Sequence, residues 1–156
     1  MDDKFSPKEK LYRAVYPPNH PGMYWKRDGS LSSAAFADPK GLSVERGYHR
    51  ENEEIIANMR KNFVGCIVSI KVEDCNETQA IVKYLPTKNN QYHSEIHGGE
   101  DKLLLDKRQR VYLAQKGTKR IYSCRMKSSL PGCNEDFLIF CGFLCENCFL
   151  LPCVVE

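Results

Sequence analysis

The chain has little that would mark it for export, for a membrane or for a repetitive scaffold. Its first twenty residues, MDDKFSPKEKLYRAVYPPNH, open on acidic side chains and contain no apolar run. The sequence therefore predicts neither a secretory signal nor an N-terminal anchor, and a cytoplasmic setting. No internal repeat and no low-complexity tract is present, which excludes solenoids, propellers and collagen-like arrays. A net charge of +3 is too small by itself to call for a polyanionic partner. None of the four histidines stands in an H-E-x-x-H pattern, so that zinc-protease arrangement is excluded.

What is present suffices for one folded domain. The 156 residues, 42% hydrophobic and 28% charged, fit a single unit of ordinary size with a modest core. In a reducing compartment the eight cysteines are expected as thiols, so a disulfide framework is not expected to hold the fold.

Local pattern supplies the elements. LYRAVY (Leu11 to Tyr16) reads as a first strand stopped by Pro17 and Pro18. LSSAAF and GLSVER, parted by the Asp38-Pro39-Lys40-Gly41 turn, read as two short strands. In ENEEIIANMRKNF, Ile55, Ile56, Met59 and Phe63 share a helical face, with Glu53 and Glu54 at the start and Arg60 and Lys61 at the end, as the helix dipole favours. VGCIVSIKV (64–72) and AIVKYLP (80–86) are β-branched runs expected in the middle of the sheet, and KLLL (102–105) reads as a short strand. Asp106 followed by Gln109 forms a capping box that predicts a second helix from Lys107 to Lys116, with Gly117 as a left-handed stop. Strands outnumber helices without βαβ alternation. The expected class is α+β: a mixed or antiparallel sheet of about five to six short strands with two helices over residues 1–122.

From Ser123 onward the composition changes, and residues 123–156 form an apolar tail with six of the eight cysteines. Cys141, Cys145, Cys148 and Cys153 are spaced C-x3-C-x2-C-x4-C, a set of thiolates able to hold zinc or an iron–sulfur cluster. Phe137 to Val155 approaches the length of a membrane span, but Glu146, Asn147 and Pro152 interrupt it and argue against a membrane partner. The same composition suits a segment outside the folded domain.

Three groups of residues carry chemistry. In the segment Tyr92-His93-Ser94-Glu95-Ile96-His97-Gly98-Gly99, an extended backbone puts His93, Glu95 and His97 on one face. Two imidazoles and a carboxylate serve as an acid/base set near neutral pH or as ligands for zinc or iron; solvent-exposed loop histidines are the plainer alternative. Arg13, Ser32, Arg46, His49 and Arg50 form an anion-binding set, the last three just before the first helix, whose positive end favours phosphate. Glu51, Glu53 and Glu54 crowd the same helix start and can neutralise those arginines instead. Between Lys107 and Lys127 stand eight Lys or Arg with Tyr112 and Tyr122 among them and no Asp or Glu, a stretch that suits nucleic acid or a solvated helix face. Tyr24 and Trp25 lie in a Pro/Gly-rich loop, as a ligand lid or as a plug under it.

The order Arg13, then Ser30-Leu31-Ser32, then Glu95 is loosely similar to ADP-ribosyltransferase-like domains, although their serine-threonine-serine and paired-glutamate signatures are absent. The resemblance implies an early-strand Arg, a serine-bearing strand and a late Glu around a nicotinamide dinucleotide. Together these readings predict a small enzyme acting on a phosphate-bearing ligand, nucleotide or RNA, through a His/Glu acid–base or zinc site. The competing expectation is a non-catalytic module that binds nucleic acid or a protein partner through the basic second helix or the apolar tail.

Overall fold

The computed structural model describes residues 3–63 and 65–117, together with the backbone of 119–121. The chain divides into two units, Met1–Arg125 and Met126–Glu156. The tail cysteines Cys141, Cys145, Cys148 and Cys153, the basic stretch past residue 121 and the apolar run 137–155 lie outside the described residues.

In chain order the elements are β1 (Lys10–Val15), a 3₁₀ helix (Ser33–Phe36), β2 (Leu42–Arg46), α1 (Asn52–Asn62), β3 (Cys66–Lys71), α2 (Val72–Glu77), β4 (Ile81–Tyr84), β5 (His93–His97), α3 (Lys107–Lys116) and β6 (Lys119–Ile121). The six strands form one sheet in the order β4-β5-β2-β1-β3-β6, with every neighbouring pair antiparallel. This is the α+β class that the sequence implied.

Alternation along the strands loads both faces of the sheet. Leu11 and Val15 of β1, Leu42 and Val44 of β2, and Cys66, Val68 and Ile70 of β3 pack with the 3₁₀ helix, α2 and α3. Tyr12 and Ile67 point the other way, onto Ile55, Ile56 and Met59 of α1. Each such side chain, fully buried, contributes about 1.5–3 kcal/mol. On this second face α1 contributes the only helical residues among the described core, and the sheet beyond it carries Ser43, Glu45, His93 and Glu95.

The structure corrects several expectations. β3 and β4 are not the middle of the sheet: β3 lies beside edge strand β6, and β4 is itself an edge with every residue half-buried. LSSAAF does not form a strand, because the Ser32 hydroxyl accepts the Ala34 N–H and caps the 3₁₀ helix. KLLL forms no strand either; Gly99 and Lys102 make an isolated bridge, and Leu105 alone of the three leucines is buried. A third helix, α2, follows β3 directly where the Asp74 carboxylate accepts the Lys71 N–H. Gly117 ends α3 at φ −63°, not left-handed; a Cβ there would press on the Leu113 carbonyl and Ile70, so close packing sets the glycine.

The Cys75 thiol of α2 is sealed in the core, and burial, aided by Asp74, pushes its pKa from 9.0 up to about 12. Burial also raises Tyr12. Both folded values exceed the unfolded ones, so their stabilisation is complete below about pH 9 and is lost as the pH climbs through the folded values. The urea unfolding midpoint is expected to fall steadily above pH 9, and Cys75→Ala is expected to flatten that slope. A midpoint equally pH-dependent with and without the thiol would contradict this account of the core.

Candidate active site

The site begins where the sheet parts. β1 and β2 pair only at Leu11↔Arg46 and Tyr12↔Glu45. Past Tyr12, β1 stays with β3 as far as Val15↔Cys66, while β2 stays with β5 from Glu45↔His93 to Leu42↔Ile96. The fork between them opens a cleft of about 490 Å³, within the range of small-molecule sites.

Arg13 lines this fork. Its Nη1 donates to the Ser43 carbonyl at 2.9 Å, in place of the ladder bond that β1 no longer makes, and its Nη2 lies 3.8 Å from Asp38 Oδ2. The Nε is buried and has no hydrogen-bond partner among the described residues, although the side chain as a whole keeps 18% of its surface. Burial pulls the Arg13 pKa below its ordinary value while Asp38 and Tyr24 act the other way; a guanidinium remains charged throughout. The cation thus keeps unused donors in a partly dry setting, where they are strongest.

One wall of the cleft is aromatic. Tyr16 stacks on Tyr24 with ring centroids 5.7 Å apart and tilts against Phe63 at 5.4 Å, and all three line the cleft. His20 stacks on Tyr16 at 4.1 Å and lies 5.3 Å from Tyr24, and the buried Trp25 donates from Nε1 to the Tyr16 carbonyl at 2.7 Å. Trp25 is therefore buried beneath the loop, and Tyr24 is the ring that lines the cleft.

The other wall carries a relay. His93, Glu95 and His97 share one face of β5, as period two requires. The Ser43 hydroxyl lies 3.4 Å from His93 Nδ1, His93 Nε2 lies 3.5 Å from Glu95 Oε1, and Glu95 Oε2 lies 2.7 Å from His97 Nε2. Ser43 and His93 line the cleft, while Glu95 and His97 stand behind them. His97 is only 5% exposed, and among the described residues its Nδ1 has no partner. Gly41, at φ +96°, makes the close approach possible, since a Cβ there would overlap the Glu95 carboxylate and touch His97. Hydroxyl, imidazole and carboxylate thus follow one another along this wall, the residue types that nucleophilic and acid–base sites combine.

The other expected site residues do not enter the cleft. Arg46, fully buried, gives Nε and Nη2 to the Glu9 carboxylate at 2.9 and 3.0 Å, and lies against the rings of Phe5, Tyr48 and Tyr84. Arg50 pairs with Glu45 at 2.8 Å, donates to the Arg46 and Gly47 carbonyls and stacks on Tyr92. Both cations are paired with carboxylates, Glu9 and Glu45, and not with the expected Glu51, Glu53 and Glu54. His49 is exposed and lines a separate cavity of about 670 Å³ beside the α1 N-terminus. Ser32 is occupied as a cap and donates to the Met23 carbonyl. Of the residues that carried the likeness to ADP-ribosyltransferase-like domains, Arg13 alone lines the cleft, with Glu95 one residue behind it.

The zinc alternative for His93, Glu95 and His97 is not met: Glu95 and His97 bond each other directly, and among the described residues no three such side chains form a metal set. On α3, Gln109, Leu113 and Ala114 face inward, and the Gln109 amide donates to the Thr78 and Gly98 carbonyls. Lys107 and Arg108 remain on the solvent side. Among the described residues no helix is long and apolar enough to cross a membrane. Sequence reasoning missed Ser43, Asp38 and Tyr16; only the alternation in GLSVER, which sets Ser43 opposite Leu42 and Val44, hinted at the first. No family model, curated protein or solved structure matches the chain.

Proposed function

We propose that this protein is an enzyme that binds a nucleotide in the fork between β1 and β2 and processes it with His93 as general base. The observation that carries the reading is Arg13, a partly buried cation with unspent donors, set between an aromatic wall and a histidine. An anion with an aromatic base answers both walls: phosphate oxygens take the guanidinium donors, and the base lies on Tyr16 and Tyr24. His93 accepts the proton of a water beside the Ser43 hydroxyl as the water oxygen attacks a nucleotide phosphorus. The phosphoanhydride P–O bond breaks, the leaving phosphate oxygen takes up the proton that His93 then releases, and Glu95 steadies the intervening imidazolium. His97 holds Glu95 from behind and is a positioning residue.

The test is direct. The full chain is titrated with ATP, ADP and a nicotinamide dinucleotide by calorimetry, and each mixture is incubated and its products separated by chromatography. His93→Gln is expected to lower turnover by about 10²–10⁴-fold while leaving affinity within about threefold. A wild-type protein that binds none of the three removes the proposal, and turnover that survives His93→Gln removes the base.

A further inference from the structure

We infer that the groove adjoining the cleft binds a single-stranded nucleic acid. The inference rests on the nucleotide reading of the cleft and extends it. The groove, about 660 Å³, meets the cleft across Glu45, Met59, Phe63 and Asn90, which line both. An occupant of one is therefore within reach of an occupant of the other.

Its chemistry is that of a strand-binding surface. Side-chain amides dominate the lining, from Asn58 and Asn62 of α1 and from Asn89, Asn90 and Gln91 of the loop before β5. Amides donate and accept together, as the edges of unpaired bases require. Lys61 and Lys88 supply positive charge, and the one carboxylate in the lining, Glu45, is already taken by Arg50. Among the described residues neither lysine has a carboxylate partner, so both charges are open to the phosphates of a strand. Phe63 at the junction offers a face for stacking.

The loop that bears Lys88 is held ready. Thr87 and Asn90 exchange backbone hydrogen bonds at 3.0 and 3.2 Å, Thr87 Oγ1 accepts the Asn90 N–H at 3.1 Å, and Asn90 Oδ1 accepts the Tyr92 N–H at 2.9 Å. Lys88 and Asn89 sit at the tip of this closed turn. On the opposite rim Lys61 Nζ donates to Asn58 Oδ1 at 3.0 Å. Binding therefore orders little that is not already ordered.

The experiment follows a fluorescently labelled RNA of about ten nucleotides, a length suited to one such surface, by polarisation on the full chain at several salt concentrations. Lys61→Glu with Lys88→Glu is expected to weaken binding at least tenfold and to reduce the slope of log affinity against log salt by about 1.4, near 0.7 for each lost phosphate contact. Arg108→Glu on α3 is expected to change neither. RNA binding indifferent to the two lysines, lost on Arg108→Glu, or matched by a polyglutamate peptide overturns the groove. ADP binding, measured separately, keeps the two readings apart: a protein that binds RNA through the lysines but not ADP retains the groove and loses the cleft, and the converse result does the opposite.

Discussion

Arg13→Ala is expected to lower affinity for ADP by about 100-fold or more. A charge-assisted hydrogen bond contributes roughly 1.5–3 kcal/mol, and each 1.4 kcal/mol is a factor of ten, so losing two such bonds reaches that scale. The side chain cannot be replaced by its nearest relative. Arg13 already spends Nη1 on the Ser43 carbonyl and sets Nη2 toward Asp38, so only a planar fork has donors left over. Arg13→Lys is accordingly expected to recover little of the loss. Calorimetry with ADP, alongside thermal melts that confirm folding, measures both variants; an Arg13→Ala protein with affinity within threefold of wild type would show that the guanidinium meets no phosphate.

Removing Arg46 should have the largest effect on stability. Its guanidinium has no exposed surface, holds the Glu9 carboxylate through two nitrogens and fills a cage of three rings, so Arg46→Met leaves the largely covered Glu9 carboxylate without its cation. Breaking a buried pair from one side costs about 3–5 kcal/mol, whereas removing both partners costs less. Urea unfolding should place Arg46→Met lower by that amount, with part of the loss restored in the Arg46→Met, Glu9→Leu double variant. ADP affinity of the folded fraction should stay within about twofold, because Arg46 lies outside the cleft. A stable Arg46→Met protein with weakened ADP binding would return this arginine to the ligand-binding role its sequence position suggested.

The contrast between Arg13 and Arg46 marks what the sequence made legible. α1 and α3 could be read because helices announce themselves locally, through Glu53 and Glu54 at one start, Lys61 at an end, and the reciprocal Asp106 and Gln109 cap. The shared face of His93, Glu95 and His97 follows from period two in an extended segment. The fork between β1 and β2 was not legible, since it depends on register: two residue pairs hold these strands together, and six hold β1 to β3. Ser43 came to the site by that same register, opposite Glu95 and beside His93.

The arginines before α1 were assigned to a ligand for a related reason. Sequence shows a cation near a helix start but not the carboxylate that neutralises it, and Glu9 reaches Arg46 from 37 positions away. Lys71 illustrates the opposite failure: a β-branched run was extended through Val72, yet the Asp74 carboxylate on the Lys71 N–H turned the chain into α2. In each case a long-range or side-chain hydrogen bond outweighed local propensity.

The most direct measurement is an amide and guanidinium correlation NMR spectrum of the full chain during titration with ADP, following the Arg13 Nε–H. That group is buried and has no hydrogen-bond partner among the described residues, so binding in the fork should move its resonance to saturation together with signals of Tyr16, Tyr24, Ser43 and His93. An Nε–H signal that stays fixed while others shift, above all those of Lys10, His49 and Asn52 around the α1 N-terminus, would place the nucleotide elsewhere and contradict the account.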